Sequence, residues 1–145
     1  MSKVLIMTDT VACIPGELAK QYNIKVVPAA NIMFDNKDYI DGVTLTAAEA
    51  YELIKKDPDK FLTSAVTPAL LVDEYRKAAA ESKIIFFITL SSALSAAYKT
   101  AGMAAEVFQE ESPQTAIKIF DSKNVGGGEG LIALSAARAA ESPQA

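Results

Sequence analysis

The sequence contains no histidine and a single cysteine. Without histidine, Ser-His-Asp and Cys-His nucleophile chemistry is excluded, and so are most zinc sites, so no metal centre or cofactor is expected. Cys13 cannot form an internal disulfide and has no base or cation beside it in sequence, so it reads as core or loop filler. Long apolar runs are also missing: the longest, Ile84 to Leu90, is far below the roughly 20 residues of a membrane-spanning helix. Met1 to Met7, broken by Thr8 and Asp9, is too short an apolar stretch for a signal peptide. A cytoplasmic protein with no membrane span is expected. Nor is there an excess of positive charge. With 14 basic against 18 acidic side chains the net charge is −4, which leaves no electrostatic footprint for nucleic acid. No internal repeat and no linker divide the chain.

Half of the 145 residues are hydrophobic, 22% are charged and 8% are aromatic, enough for one core in one domain spanning residues 1–145. Lys3 to Met7 reads as a strand, followed by a loop and a short helix from Pro15 to about Tyr22. Lys25 to Pro28 and Asn31 to Phe34 are extended, and the turn Asp35-Asn36-Lys37 leads to Tyr39-Ile40, predicting a hairpin that decorates one sheet edge. Thr46-Ala47-Ala48-Glu49 is a capping box opening a helix over 46–56, with Ala47, Tyr51 and Ile54 on one face. Pro68 to Glu81 is a second helix with Leu71, Tyr75 and Ala78 in phase. Lys83 to Leu90 does not alternate and reads as a strand buried on both faces. A helix is predicted from Ser92 to Glu110, with Leu94 in its apolar stripe and Tyr98 and Phe108 in the core. Ala116 to Phe120 is the last strand, and Gly126 to Gly130 form a flexible or close-packed loop before an alanine-rich helix fraying near Ser142-Pro143. The glycine spacing fits neither a dinucleotide fingerprint nor a Walker loop. Alternating strand and helix predict an α/β domain, with a mostly parallel sheet and helices on both faces.

The residues most suggestive of chemistry are Ser91, Ser92 and Ser95, at the C-terminal end of a buried strand and the start of the next helix. Open α/β sheets bind ligands there, and a helix N-terminus with added hydroxyl donors favours an anion or polar head group. One serine at such a place is ordinarily a cap, but three exceed what a cap requires. Thr63 and Ser64, on the connection ahead of Pro68, repeat the arrangement, and Thr67 is the better cap for that helix. Asp9 and the pair Asp121-Ser122, at the ends of two strands, either close Asx turns or tie neighbouring loops and supply acid-base groups.

Taken together, these stretches resemble the N-terminal domain of the DegV family of bacterial fatty-acid-binding proteins. The resemblance is carried by Thr8-Asp9-Thr10 with Ile14-Pro15 and Glu17-Leu18-Ala19, by Val26-Val27-Pro28, and by Asp38-Tyr39-Ile40-Asp41-Gly42-Val43. It continues through Thr63-Ser64, Ser91-Ser92-Ala93-Leu94-Ser95-Ala96-Ala97-Tyr98 and Asp121-Ser122-Lys123-Asn124-Val125. It implies a binding protein and not an enzyme, holding a long-chain fatty acid between two domains. Thr63, Ser64, Ser91, Ser92 and Ser95 would engage the carboxylate, and Asp9, Asp121 and Ser122 would contribute from nearby loops. It implies further that the fatty acid is presented to a separate fatty-acid kinase subunit. The sequence departs from the family where Thr-Ser-Gln-Pro becomes Thr63-Ser64-Ala65-Val66-Thr67-Pro68, and where Leu-Ser-Gly-Thr-Tyr becomes Leu94-Ser95-Ala96-Ala97-Tyr98. The family's second, lipid-enclosing domain is expected to be absent, leaving a cleft face open to homodimerisation.

Two other functions compete. A small hydrolase or phosphoryl-transfer domain would use Asp9 or a serine as nucleophile, but no base is at hand to activate a hydroxyl. An interaction module would use an uncovered apolar face.

Overall fold

A computed structural model describes residues 4–142 of the chain. Lys3 and Pro143, which the sequence reading places at the first strand and the fraying end of the last helix, lie outside the described residues.

Four parallel strands form the main sheet: β1 (Leu5–Asp9), β2 (Lys25–Val27), β6 (Ile84–Thr89) and β7 (Ala116–Asp121), in the order β2-β1-β6-β7. Successive side chains of a strand point to opposite faces, and both faces here are covered. Leu5 and Met7 pack with Ile85 and Phe87 against Leu71, Tyr75 and Ala78 of α3 (Pro68–Glu81) and Ala101, Ala104 and Phe108 of α4 (Ala97–Glu111). Tyr75 centres that layer: its ring meets Phe87 edge-on at 6.1 Å between centroids, and its hydroxyl donates to the Ala101 carbonyl at 2.9 Å. A buried phenol needs such a partner. On the other face Ile6 and Ile88 pack with Ala133 and Ala137 of α5 (Gly127–Glu141), bordered by Ala19 of α1 (Gly16–Gln21) and by Tyr22 just after it. The expected α/β class and its helix layers are therefore present.

The hairpin is not an edge decoration. β3 (Ala30–Phe34) and β4 (Lys37–Ile40) join β5 (Leu62–Ala65) in a separate antiparallel sheet of order β4-β3-β5. Its turn is the one the sequence signals: Asp35 and Asn36 both have positive φ, 50° and 60°, as a two-residue turn between twisted strands requires. This sheet leaves the C-terminal end of β2 and is tied to the main sheet by Thr10, whose Oγ1 accepts from the Ala29 amide at 3.0 Å and donates to the Asp41 carboxylate. Gly42, at φ 70°, lets the chain pass so close to Thr10 that a Cβ there would sit 2.9 Å from the threonine methyl. Helix α2 (Ala47–Lys56) follows and carries the expected capping box, with Glu49 N donating to Thr46 Oγ1 at 3.3 Å and Thr46 N to Glu49 Oε2 at 2.8 Å. The pairing holds the Glu49 carboxyl below its ordinary range.

Three further expectations are corrected. Thr63 and Ser64 lie in β5 rather than a loop, because Asn31 and Ile32 of β3 pair with them. Helix α4 starts at Ala97, five residues after Ser92: Ser91 Oγ takes the Ala93 amide at 3.2 Å, Ser95 Oγ takes the Ala97 amide at 3.1 Å, and Ser92 N is held by Asp121 at 3.1 Å. Side chains that satisfy the backbone locally, and a distant carboxylate that takes another amide, replace the first helical turn with bends. Leu94 and Tyr98 are consequently exposed, whereas Phe108 is in the core. The glycines form no flexible loop: Gly126, at φ 61°, caps α5, and Gly127, Gly128 and Gly130 lie in its first turn.

Candidate functional site

The small sheet, α2 and the ends of β1 and β6 enclose an open cavity of about 590 Å³. Its apolar walls come from Ile32 and Phe61 near the small sheet, Ala47, Ala50, Tyr51 and Ile54 on α2, and Val11, Leu90 and Leu94 beyond the main strands. The apolar stripe of α2 thus faces the cavity. None of its residues is fully buried, unusual for a helix with so marked an apolar side.

Polar groups enter at few places. Thr63 and Ser64 line the cavity from β5, and Ser95 from the bend before α4. These three sequence-derived candidates thus border one cavity, two from consecutive positions of β5 and one from the bend before α4, distant in sequence. The other two do not border it. Ser91 is buried and supports its own bend, while Ser92 Oγ donates to Asp121 Oδ2 at 2.5 Å and is absent from the cavity lining. Asp121 also accepts from Lys123 N at 3.0 Å, and the Ser92 hydroxyl with these amides holds its carboxyl below the usual range. Ser122 closes a turn with Asn124, accepting from its amide at 3.1 Å. Asp121 and Ser122 therefore stitch the exits of β6 and β7 together, a job reinforced by Ser91 N donating to the Asn124 carbonyl at 2.9 Å.

Asp9 occupies the same structural role between β1 and β6. Its Oδ1 accepts from Val11 N and its Oδ2 from Leu90 N, both at 3.0 Å. It closes the Asx turn and also ties two loops; burial nevertheless raises its pKa.

Two acidic residues were not singled out as site residues from the sequence. Asp41 lines the cavity and is the only charged residue among the described lining residues. Glu129 is fully buried at the start of α5, with Thr8 Oγ1 donating to its Oε1 at 3.1 Å and its Oε2 lacking a hydrogen-bond partner among the described residues. Burial first, and the neighbouring Asp9 carboxylate second, push the Glu129 pKa up to about 8. In sequence Glu129 sits among glycines at a helix start, where an acidic residue is ordinary. Among the described residues no group of three or more His, Cys, Asp or Glu side chains is arranged to hold a metal ion, and no helix is long and apolar enough to cross a membrane.

A parallel α/β layer with an antiparallel sheet appended at the strand ends, bordering a largely apolar cavity, defines the class of domain. The chain belongs to the DegV family, a family of uncharacterised proteins whose sequence profile matches residues 3–144. It is 31% identical over 142 residues to a DegV domain-containing protein of Clostridium perfringens, covering 98% of this chain and 49% of that protein. A DegV domain-containing 15.5 kDa protein of Staphylococcus aureus is 32% identical over 130 residues, covering 90% of this chain and 88% of the relative. Among solved structures, DegV of Bacillus subtilis, described as a fatty acid binding protein, superposes with a TM-score of 0.81 at 26% identity over 99% of this chain and 51% of that one. The chain spans about half the length of the Clostridium and Bacillus proteins.

Proposed function

We propose that the chain binds a long-chain fatty acid in the 590 Å³ cavity, with the carboxylate at Thr63, Ser64 and Ser95 and the acyl chain along Ile32, Ile54 and Phe61. The observation that carries this reading is the cavity itself: a largely apolar space whose lining includes Thr63 and Ser64 from β5 and Ser95 from the β6 exit. It is supported by the fatty-acid binding described for the Bacillus subtilis relative. Hydrogen bonds to a charged acceptor contribute about 1.5–3 kcal/mol each, while each buried methylene adds about 0.8 kcal/mol. The tail therefore supplies most of the affinity, and the hydroxyls fix the head.

Ser91, Ser92, Asp9, Asp121 and Ser122 then serve the site indirectly, by holding the loops that present Ser95 and Leu90. In this reading the protein presents the bound acid to a separate fatty-acid kinase subunit. The cavity is open on one side; a second domain, or a second copy of the chain, would close it.

Calorimetric titration with palmitic acid tests the assignment. Thr63→Ala combined with Ser95→Ala is expected to weaken binding at least tenfold with the fold intact, and Asp41→Asn, by removing a like charge from the wall, to strengthen it. Unchanged affinity in both variants places the head group elsewhere.

A further inference from the structure

Glu129 is fully buried, yet one of its two carboxylate oxygens has no hydrogen-bond partner among the described residues. Buried polar atoms without partners are rare, and each calls for a reason. The polar neighbours of Glu129 are Thr8, which donates to Oε1, and Asp9, the residue next to Thr8, whose carboxyl is near enough to raise the Glu129 pKa. Both come from β1. Asp9 is itself almost fully buried, and two adjacent buried carboxylates cannot both be ionised without a large cost. A single proton between them resolves both problems at once: it satisfies the orphan oxygen and removes one charge.

The charged groups acting on the pair are the two carboxyls themselves and Asp41, which acts on Asp9. The 3-10 turn after β1 (Thr10–Ala12) contributes no titratable group, and β6 presents the apolar Ile88 to this face. Asp9 in turn holds Val11 N and Leu90 N, and both residues line the cavity. The chain of contacts thus runs from Glu129 through Asp9 to two backbone segments of the cavity wall.

We propose that Glu129 is a positioning residue for the cavity: protonated, it donates a hydrogen bond to Asp9 and fixes the Val11 and Leu90 segments; ionised, it repels Asp9 and loosens that wall. The ligand arm of this inference rests on the fatty-acid reading above, whereas the structural arm does not. With the Glu129 pKa near 8, the change falls at mildly alkaline pH.

The test uses the full chain, titrated with myristic acid at pH 7 and pH 9.5, beside amide hydrogen exchange of the unliganded protein at the same two pH values. The wild type should bind at least fivefold more weakly at pH 9.5, and the protection factors of Leu90 and Val11 should fall by a similar factor. Glu129→Gln keeps a donor toward Asp9 and an acceptor for Thr8 at every pH, so its protection factors and affinity should be the same at both pH values. Glu129→Ala, which supplies neither, should show low Leu90 protection at pH 7 already. Thermal unfolding of each variant establishes that it is folded. An equal alkaline loss in wild type and Glu129→Gln, or constant protection in the wild type, overturns the proposal. If myristic acid binds at neither pH, the fatty-acid reading falls, and the exchange data alone decide the role of Glu129.

Discussion

The residue that departs furthest from ordinary behaviour is Glu129. A carboxyl whose pKa rises on folding from 4.5 to about 8 binds its proton more tightly in the native state than in the unfolded chain. Between those two pH values the native state holds more protons, so stability falls as pH rises. Asp9, also raised, acts in the same direction. Its surface counterparts act oppositely: Glu111, lowered by the Arg76 guanidinium, and Asp121, lowered by Ser92, stabilise the fold at neutral pH and lose that contribution only in acid. Guanidinium denaturation is therefore expected to give a higher midpoint at pH 5.5 than at pH 8, with Glu129→Gln removing most of the difference. A midpoint that rises across this interval contradicts the assignment. Residue-scale reading of the sequence singles out hydroxyls and passes over this carboxyl, because its burial depends on β1 packing against α5 across 121 positions of chain.

At the scale of elements, local signals placed what local forces decide. Thr67 and Pro68 mark the start of α3, and the Thr67 hydroxyl does cap Leu70 N, at 3.3 Å. The capping box of α2 and the Asp35-Asn36 turn were equally legible. The start of α4 was not, since it depends on Asp121 reaching Ser92 from 29 residues away. The separate small sheet was missed for a similar reason: nothing local tells β5 that it will pair with β3. Gly130 shows how closely the elements meet. A Cβ there would lie 2.4 Å from the Ala12 carbonyl oxygen, a backbone atom that cannot swing aside. Gly130→Ala should therefore push α5 from the 3-10 turn and cost about 1–3 kcal/mol, offset only in part by alanine's helix propensity. A calorimetric Tm within a degree of wild type would show that the two elements separate without penalty.

For the whole molecule, the division of labour is between a packed layer and an open cavity. The parallel sheet and its helices hold the core; the small sheet and α2 hold a space. Amphipathy in α2 was readable from Ala47, Tyr51 and Ile54, but periodicity reports only that a face is apolar, not whether it meets core or cavity. With Tyr51 and Leu94 both 66% exposed beside that space, occupancy by an acyl chain, and cover from a further domain or copy, would each bury surface now open to water.

In the proposed binding mode, hydroxyls from β5 and the β6 exit receive a carboxylate at one end of this cavity. A crystal structure of the chain with palmitic acid tests it most directly. Carboxylate oxygens are expected within hydrogen-bond distance of Thr63, Ser64 or Ser95, with the tail running between α2 and the small sheet. A fatty acid seated on another surface, or reversed so that its methyl end meets those hydroxyls, would contradict it.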